Sequence, residues 1–267
     1  MEPALRQVRG LLIDLDGVVY TGRQAIPGAA EFLAAARQHH LPFLLVTNNS
    51  TTAPAQVAER LAGMGISVGP DAILTSAQAA MAYVRGQSAE KARVLVVGEA
   101  GLRQAAQEEG LEIVGDAPAD WVVVGLDRTF DYQKLAAATR AVRGGARFVA
   151  SNTDALLPIE GGDFLPGAGS IVAAIRAASG VEPVVTGKPE PAMFEAGLQK
   201  LGGLGARQVA MIGDRLDTDI DGGRLAGLKT ILVLSGVTTR ALLATSSVTP
   251  DAVASDLAEV AELLGWR

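Results

Sequence analysis

Short apolar runs alternate along this chain with longer segments whose apolar residues recur at helical spacing. Leu11–Leu15, Pro42–Thr47, Ala72–Leu74, Arg93–Val97, Trp121–Val124, Arg147–Ala150, Val184–Thr186, Gln208–Ile212, Thr230–Leu234 and Val253–Ala254 read as strands. Between them, Pro27–Gln38, Pro54–Ala62, Ser76–Arg85, Leu102–Glu109, Tyr132–Arg143, Ser170–Ala178, Ala192–Leu201 and Asp217–Ala226 read as helices. Asp131 stands where the fifth helix needs an N-cap. Leu156–Leu165 suggests a hairpin turning at Gly161-Gly162. Near the end, Leu257, Val260, Ala261 and Leu264 keep an i, i+3, i+4, i+7 spacing that gives one apolar helix face. Strand and helix in strict alternation predict an α/β fold on parallel sheets.

Two Gly/Pro/Ser-rich breaks interrupt the alternation, Gly86-Gln87-Ser88 and Gly180 to Pro183. They suggest a discontinuous core domain, residues 1–86 and 184–267, with an inserted α/β domain at 87–183. Val184–Thr186 would then resume the first series of strands. The composition agrees, with 49% hydrophobic and 19% charged residues in 267, which argues for a folded chain with a sizeable core. Aromatics are only 4%, so small aliphatic residues must fill that core.

The net charge of −6 argues against a nucleic-acid binder, which needs a basic face. With no cysteine, thiolate catalysis and disulfides are excluded. The two histidines, His39 and His40, are adjacent at a helix end, where a solvated role is the simpler reading and a Ser-His-Asp site is disfavoured. Met1 to Gly10 carries no signal-peptide-like stretch, and no run approaches a membrane helix in length. The expectation is a soluble, cytoplasmic protein without membrane or nucleic-acid partners.

Polar clusters sit just past four apolar strands. They are Asp14-Leu15-Asp16-Gly17, Thr47-Asn48-Asn49-Ser50, Gly187-Lys188-Pro189 and Gly213-Asp214-Arg215-Leu216-Asp217-Thr218-Asp219. Strand ends in one parallel sheet share an edge, so the four could converge. Asp14 and Asp16 lie on one face of an extended chain, and their mutual repulsion would raise one pKa. With Asp214 they offer oxygen donors suited to a hard ion such as Mg²⁺. Such a cation would also resolve how an acidic site receives a phosphate. Thr47 can donate its hydroxyl, Asn48 its backbone N–H, and Lys188 a compact positive charge. Gly98-Glu99-Ala100-Gly101 lacks a full dinucleotide-loop pattern and reads as a structural turn.

Together these motifs resemble the haloacid dehalogenase superfamily, in its branch of 4-nitrophenylphosphatase, phosphoglycolate phosphatase, pyridoxal phosphatase and NagD-type enzymes. Asp14 to Tyr20 matches its first motif, Thr47 to Ser50 the second, Gly187 to Pro189 the third and Gly213 to Ile220 the fourth. The resemblance covers essentially the whole chain. It implies a Rossmann-like parallel-sheet core with an inserted cap that selects substrate, and a Mg²⁺-dependent phosphatase of small phosphate monoesters. Asp14 would be the nucleophile that becomes an aspartyl phosphate, and Asp16 the acid and base. Asp14, Asp214 and the backbone carbonyl of Asp16 would hold the metal, with Asp219 behind them. Thr47, Asn48, Asn49 and Lys188 would bind phosphate. Asp127, Asn152, Thr153 and Asp154 are candidate cap contacts. An acid at position 16 favours phosphate esters over carbon–halogen or phosphonate substrates. A phosphomutase and a non-catalytic phospho-ligand sensor stay open as alternatives. So does the substrate among glycolate phosphate, pyridoxal phosphate, sugar phosphates and nucleotides. A homodimer through the cap is what the branch suggests.

Overall fold

Residues buried on both sides, not alternately, dominate the strands, as expected where helices cover both faces of a parallel sheet. The computed structural model describes residues 2, 5–88, 91–115, 118–158 and 163–266. The expected turn at Gly161-Gly162 lies outside them. The chain forms two compact units. One comprises residues 1–47, 55–74 and 194–267, and the other residues 48–54 and 75–193.

The first unit holds a six-stranded sheet in the order Ala252–Ala254, Lys229–Val233, Val209–Gly213, Gly10–Asp14, Phe43–Thr47, Ile73–Thr75. Gly10–Asp14 runs parallel to both its neighbours, with Ile13 opposite Ile212 and Leu45, and Asp14 opposite Val46. On one face Leu11, Ile13, Leu45 and Ile212 pack with Phe32, Leu33, Val57, Leu61, Leu257 and Val260. Leu257, Val260, Ala261 and Leu264 are all buried, so the expected helix face is present, on a helix spanning Leu257–Leu263. On the other face two helical glycines leave little room for a side chain: a Cβ on Gly197 would press on Leu12, and one on Gly223 on Met211 and Thr230.

A five-stranded parallel sheet organises the second unit, in the order Val184–Val185, Arg147–Ala150, Trp121–Val124, Arg93–Val97, Glu112–Val114. Val94, Val96, Val123 and Val149 face Ala77, Ala80, Met81, Val84, Leu102 and Ala106. Leu95, Val97, Val122, Val124 and Phe148 face Ala138, Val142, Ile171, Val172 and Ile175. Successive residues of each strand thus serve opposite cores. Asp131 caps Tyr132–Arg143 as expected, accepting from Lys134 N–H at 2.8 Å. Leu156–Pro158 and Phe164–Pro166 pair antiparallel.

Three expectations about organisation need correction. The inserted unit begins before residue 87, because the helix Ser76–Gly86 buries Ala77, Ala80, Met81 and Val84 against that unit's sheet. It also ends after residue 183. Val184–Val185 does not rejoin the first sheet but pairs with Val149 and Ala150. Finally, the expected helix over Asp217–Ala226 is a π-helical turn, Leu216–Ile220, followed by Asp221–Leu225 in α form. Residues 48–54 join the second unit through Gly101 N–H to the Thr51 carbonyl, 2.9 Å, and Leu126 N–H to Ser50 Oγ, 3.2 Å. Gly101 lies so close to the Thr51-Thr52 backbone that any Cβ would overlap it, which makes the Gly98–Gly101 segment a packing turn. Among the described residues, no helix is long and apolar enough to cross a membrane.

Ile212 is wholly buried in the first sheet. Ile212→Ala is expected to lower unfolding free energy by about 2–5 kcal/mol, read from denaturant titration followed by circular dichroism.

Candidate active site

Three carboxylates meet in the first unit. Asp14 ends its strand, Asp214 directly follows Val209–Gly213, and Asp219 lies in the π-helical turn. One carboxylate oxygen from each falls within 4.8 Å of the other two, and the residues are only 8%, 1% and 1% exposed. Parallel register brings the first two together: Ile13 and Ile212 are opposite, so both chains leave the sheet at one level. Thr47, one residue beyond the Asp14–Val46 pair, is buried at the same edge.

Backbone crowding holds the cluster. Val237 N–H donates to Asp214 Oδ2 at 2.6 Å, and Thr238 N–H to the Asp214 carbonyl at 3.1 Å. Cβ atoms on Gly17 or Gly236 would overlap the Asp214 carboxylate, and one on Gly213 would overlap Asp219. Gly17 also sits at φ +80°, a conformation costly for other residues. Ser235 Oγ closes the loop onto the Gly17 carbonyl at 2.7 Å. Asp219 Oδ2 accepts from Arg215 N–H at 3.1 Å. The loop Ser235–Thr238 escaped sequence reasoning, since a Ser-Gly pair after a strand has no signal until its neighbour is known. Three buried acidic oxygen donors without sulfur or imidazole fit a hard divalent cation. Asp219, expected behind the metal site, stands in the cluster itself.

Asp16 is outside this cluster and exposed. Its Oδ2 accepts from the Tyr20 hydroxyl at 2.9 Å. Burial above all, and the nearby Asp16 charge, push the Tyr20 hydroxyl far above its usual range, so it stays protonated.

In the second unit the Asn48 side chain grips the backbone of Lys188. Its Oδ1 accepts from Lys188 N–H at 2.8 Å and its Nδ2 donates to the Lys188 carbonyl at 3.0 Å. The Asn48 carbonyl in turn accepts from Ser76 Oγ at 2.6 Å and Asn152 Nδ2 at 2.7 Å. Lys188 is buried, 5% exposed, and follows a strand of the second sheet, not of the first as the expectation of one shared edge required. Asn49 Oδ1 is engaged by Thr51 N–H and Oγ1, at 2.7 and 2.8 Å.

Three of the four candidate cap contacts are tied into their own unit. Asp127 is buried and accepts from Thr129 N–H, Thr129 Oγ1 and Lys134 Nζ at 2.9, 2.7 and 2.7 Å. Burial would raise its pKa, but these donors outweigh burial and hold the carboxyl below the usual range. Asn152 Oδ1 accepts from Asp154 N–H at 3.1 Å, and Asp154 Oδ2 accepts from Asn48 Nδ2 at 3.2 Å. Thr153 is exposed.

Comparison with known proteins converges on one class. Residues 11–112 match the model of a haloacid dehalogenase-like hydrolase, and residues 185–260 a second, HAD-hydrolase-like model. An acid sugar phosphatase of Staphylococcus epidermidis is 42% identical over 260 residues, covering 97% of this chain and 99% of its own. The structure of 4-nitrophenylphosphatase from Thermotoga maritima is similar at TM-score 0.91 and 32% identity, over 98% of this chain and 99% of that one. A glycerol phosphate phosphatase from Mycobacterium tuberculosis, solved in complex with magnesium, is similar at TM-score 0.89 and 39% identity, over 97% and 78%. Fold, carboxylate cluster and relatives together define a phosphatase. The chain belongs to the haloacid dehalogenase-like hydrolase family, among its NagD- and 4-nitrophenylphosphatase-type members.

Gly236→Ala should displace the Asp214 carboxylate without unfolding the chain. Affinity of the cluster for an added divalent cation, probed with Mg²⁺ by calorimetry, is expected to fall about 10–100-fold, with cooperative thermal unfolding retained.

Proposed function

We propose that this phosphatase is Mg²⁺-dependent and hydrolyses small phosphate monoesters, sugar or polyol phosphates among them. The three buried carboxylates carry this reading, because each offers an oxygen within 4.8 Å of the other two, a donor set that suits a hard divalent cation. Support for the substrate class comes from the names of the relatives, an acid sugar phosphatase and a glycerol phosphate phosphatase.

Asp14, Asp214 and Asp219 would hold the cation, with the Asp16 carbonyl as a further oxygen donor. Bound there, Mg²⁺ would offset the negative charge of the carboxylates and of the phosphoryl oxygens. The protein's own groups carry the reaction. An Asp14 carboxylate oxygen attacks phosphorus, and the ester P–O bond breaks. The departing oxygen takes the proton of the Asp16 carboxyl. Asp16, now a carboxylate, takes a proton from water as that water attacks phosphorus. The Asp14–phosphate bond breaks and inorganic phosphate leaves. Thr47, Asn48 and Lys188 are assigned to the phosphoryl oxygens, Asn48 through its backbone N–H, since its side chain is committed to the Lys188 backbone. Asn49 joins them, its Oδ1 already serving the loop. Substrate selection falls to the second unit, where Thr153 is the exposed candidate.

Purified Asp14→Asn is expected to lose all turnover of 4-nitrophenyl phosphate and of a sugar-phosphate panel; retained turnover would remove Asp14 as nucleophile. EDTA should abolish the wild-type rate and added Mg²⁺ restore it. Activity indifferent to both would overturn the metal assignment.

A further inference from the structure

An exposed carboxylate is not oriented by packing, yet a proton donor must stay aimed at one atom through the reaction. Asp16 has this problem. It is exposed, so hydrogen bonds and not core packing must set its side-chain torsions. One such hold comes from Tyr20, which is 1% exposed and locked by its own backbone. Gly17 N–H donates to the Tyr20 carbonyl at 2.8 Å, and Tyr20 N–H to the Leu15 carbonyl at 3.1 Å. Tyr20–Thr21 pairs with Gln24–Ala25 in a small hairpin.

Behind Tyr20 stands Arg60, on the helix Pro54–Ala62. Its guanidinium lies over the Tyr20 ring, 4.6 Å from the centroid, and Nη2 donates to the Tyr20 hydroxyl. An arginine only donates. The tyrosine oxygen therefore accepts from Arg60, and its one proton is directed to Asp16 Oδ2. That order runs one way, from guanidinium to hydroxyl to carboxylate.

We infer that Tyr20, backed by Arg60, is a positioning residue for Asp16: it occupies Oδ2 so that Oδ1 alone serves the departing and attacking oxygens. The inference rests on the reading of Asp16 as acid and base. Loss of the hydroxyl removes this hold on Oδ2, so protonation of the leaving group suffers first. An alkoxide departs poorly without that proton, whereas 4-nitrophenolate departs readily. Dependence on the leaving group is thus the signature, and a merely structural defect would not produce it.

The test measures single-turnover release of the alcohol, which reads the first step alone, from glycerol phosphate and from 4-nitrophenyl phosphate. Tyr20→Phe is expected to slow glycerol release by about 10-fold or more, a part of the range general acid catalysis spans. Release of 4-nitrophenolate should stay within about 3-fold, with unchanged substrate half-saturation, Mg²⁺ affinity and melting temperature. Arg60→Gln, at an exposed position, should show the same asymmetry to a smaller degree, and it carries the test if Tyr20→Phe does not fold. Equal slowing of both substrates, or of neither, overturns the inference. Asp16→Asn on the same pair separates the two claims. If it leaves glycerol release near the wild-type rate, the acid assignment itself fails. If it stops glycerol release while Tyr20→Phe and Arg60→Gln do not slow it, only the positioning role fails.

Discussion

Buried carboxylates of like charge repel, and Asp14, Asp214 and Asp219 are held together regardless. Two unit charges about 4 Å apart interact by about 4 kcal/mol at an effective dielectric of 20, so carboxylates this close oppose folding unless opposite charge offsets them. The scaffold that resists this is backbone, not side chain. Register at the Ile13–Ile212 pair sets the level of two acids, and the π-helical turn brings the third. Gly17, Gly213 and Gly236 let main chain approach the carboxylates more closely than any side chain would allow. The neighbouring loops answer to the same demand, with the Val237 N–H spent on Asp214 and the Arg215 N–H on Asp219.

Much of this was legible in the chain itself. Continuous apolar runs such as Leu11-Leu12-Ile13 announce strands covered on both faces, and the acids that follow them announce a shared edge. What escaped is non-local. Val184-Val185-Thr186 is an equally good strand for either sheet, and nothing in its composition says that Val149 and Ala150 are its partners. The unit that owns Lys188 follows from that pairing. The helix Ser76–Gly86 reads as amphipathic in any setting, and only its contacts with Val94 and Leu102 assign it to the second unit. The extra residue of the π-helical turn is invisible to a 3.6-residue period, although it is the feature that delivers Asp219. Asp127 and Asp154, acids after strands, are both engaged inside the protein, by Thr129 N–H and by Asn48 Nδ2.

The pairing of Asn48 with Lys188 links two motifs 140 residues apart. Its carboxamide presents the acceptor and donor that a neighbouring strand would present, and so completes the Lys188 backbone as a short piece of sheet. Ser76 and Asn152 then fix the Asn48 carbonyl. The root of the Lys188 side chain is thereby fixed.

The strand order of the first sheet has a consequence for synthesis. Its central pair joins Gly10–Asp14 to Val209–Gly213, nearly the two ends of the chain, while the second unit is almost one uninterrupted stretch. On the ribosome the second unit emerges whole and can fold while the N-terminal strands still wait for their partners. Closing the long loop between them is slow, and Asp214, Asp219 and the Val237 amide come from its far side. A nascent or truncated chain therefore has no assembled acid cluster, and the enzyme matures only when its final third is free of the exit tunnel.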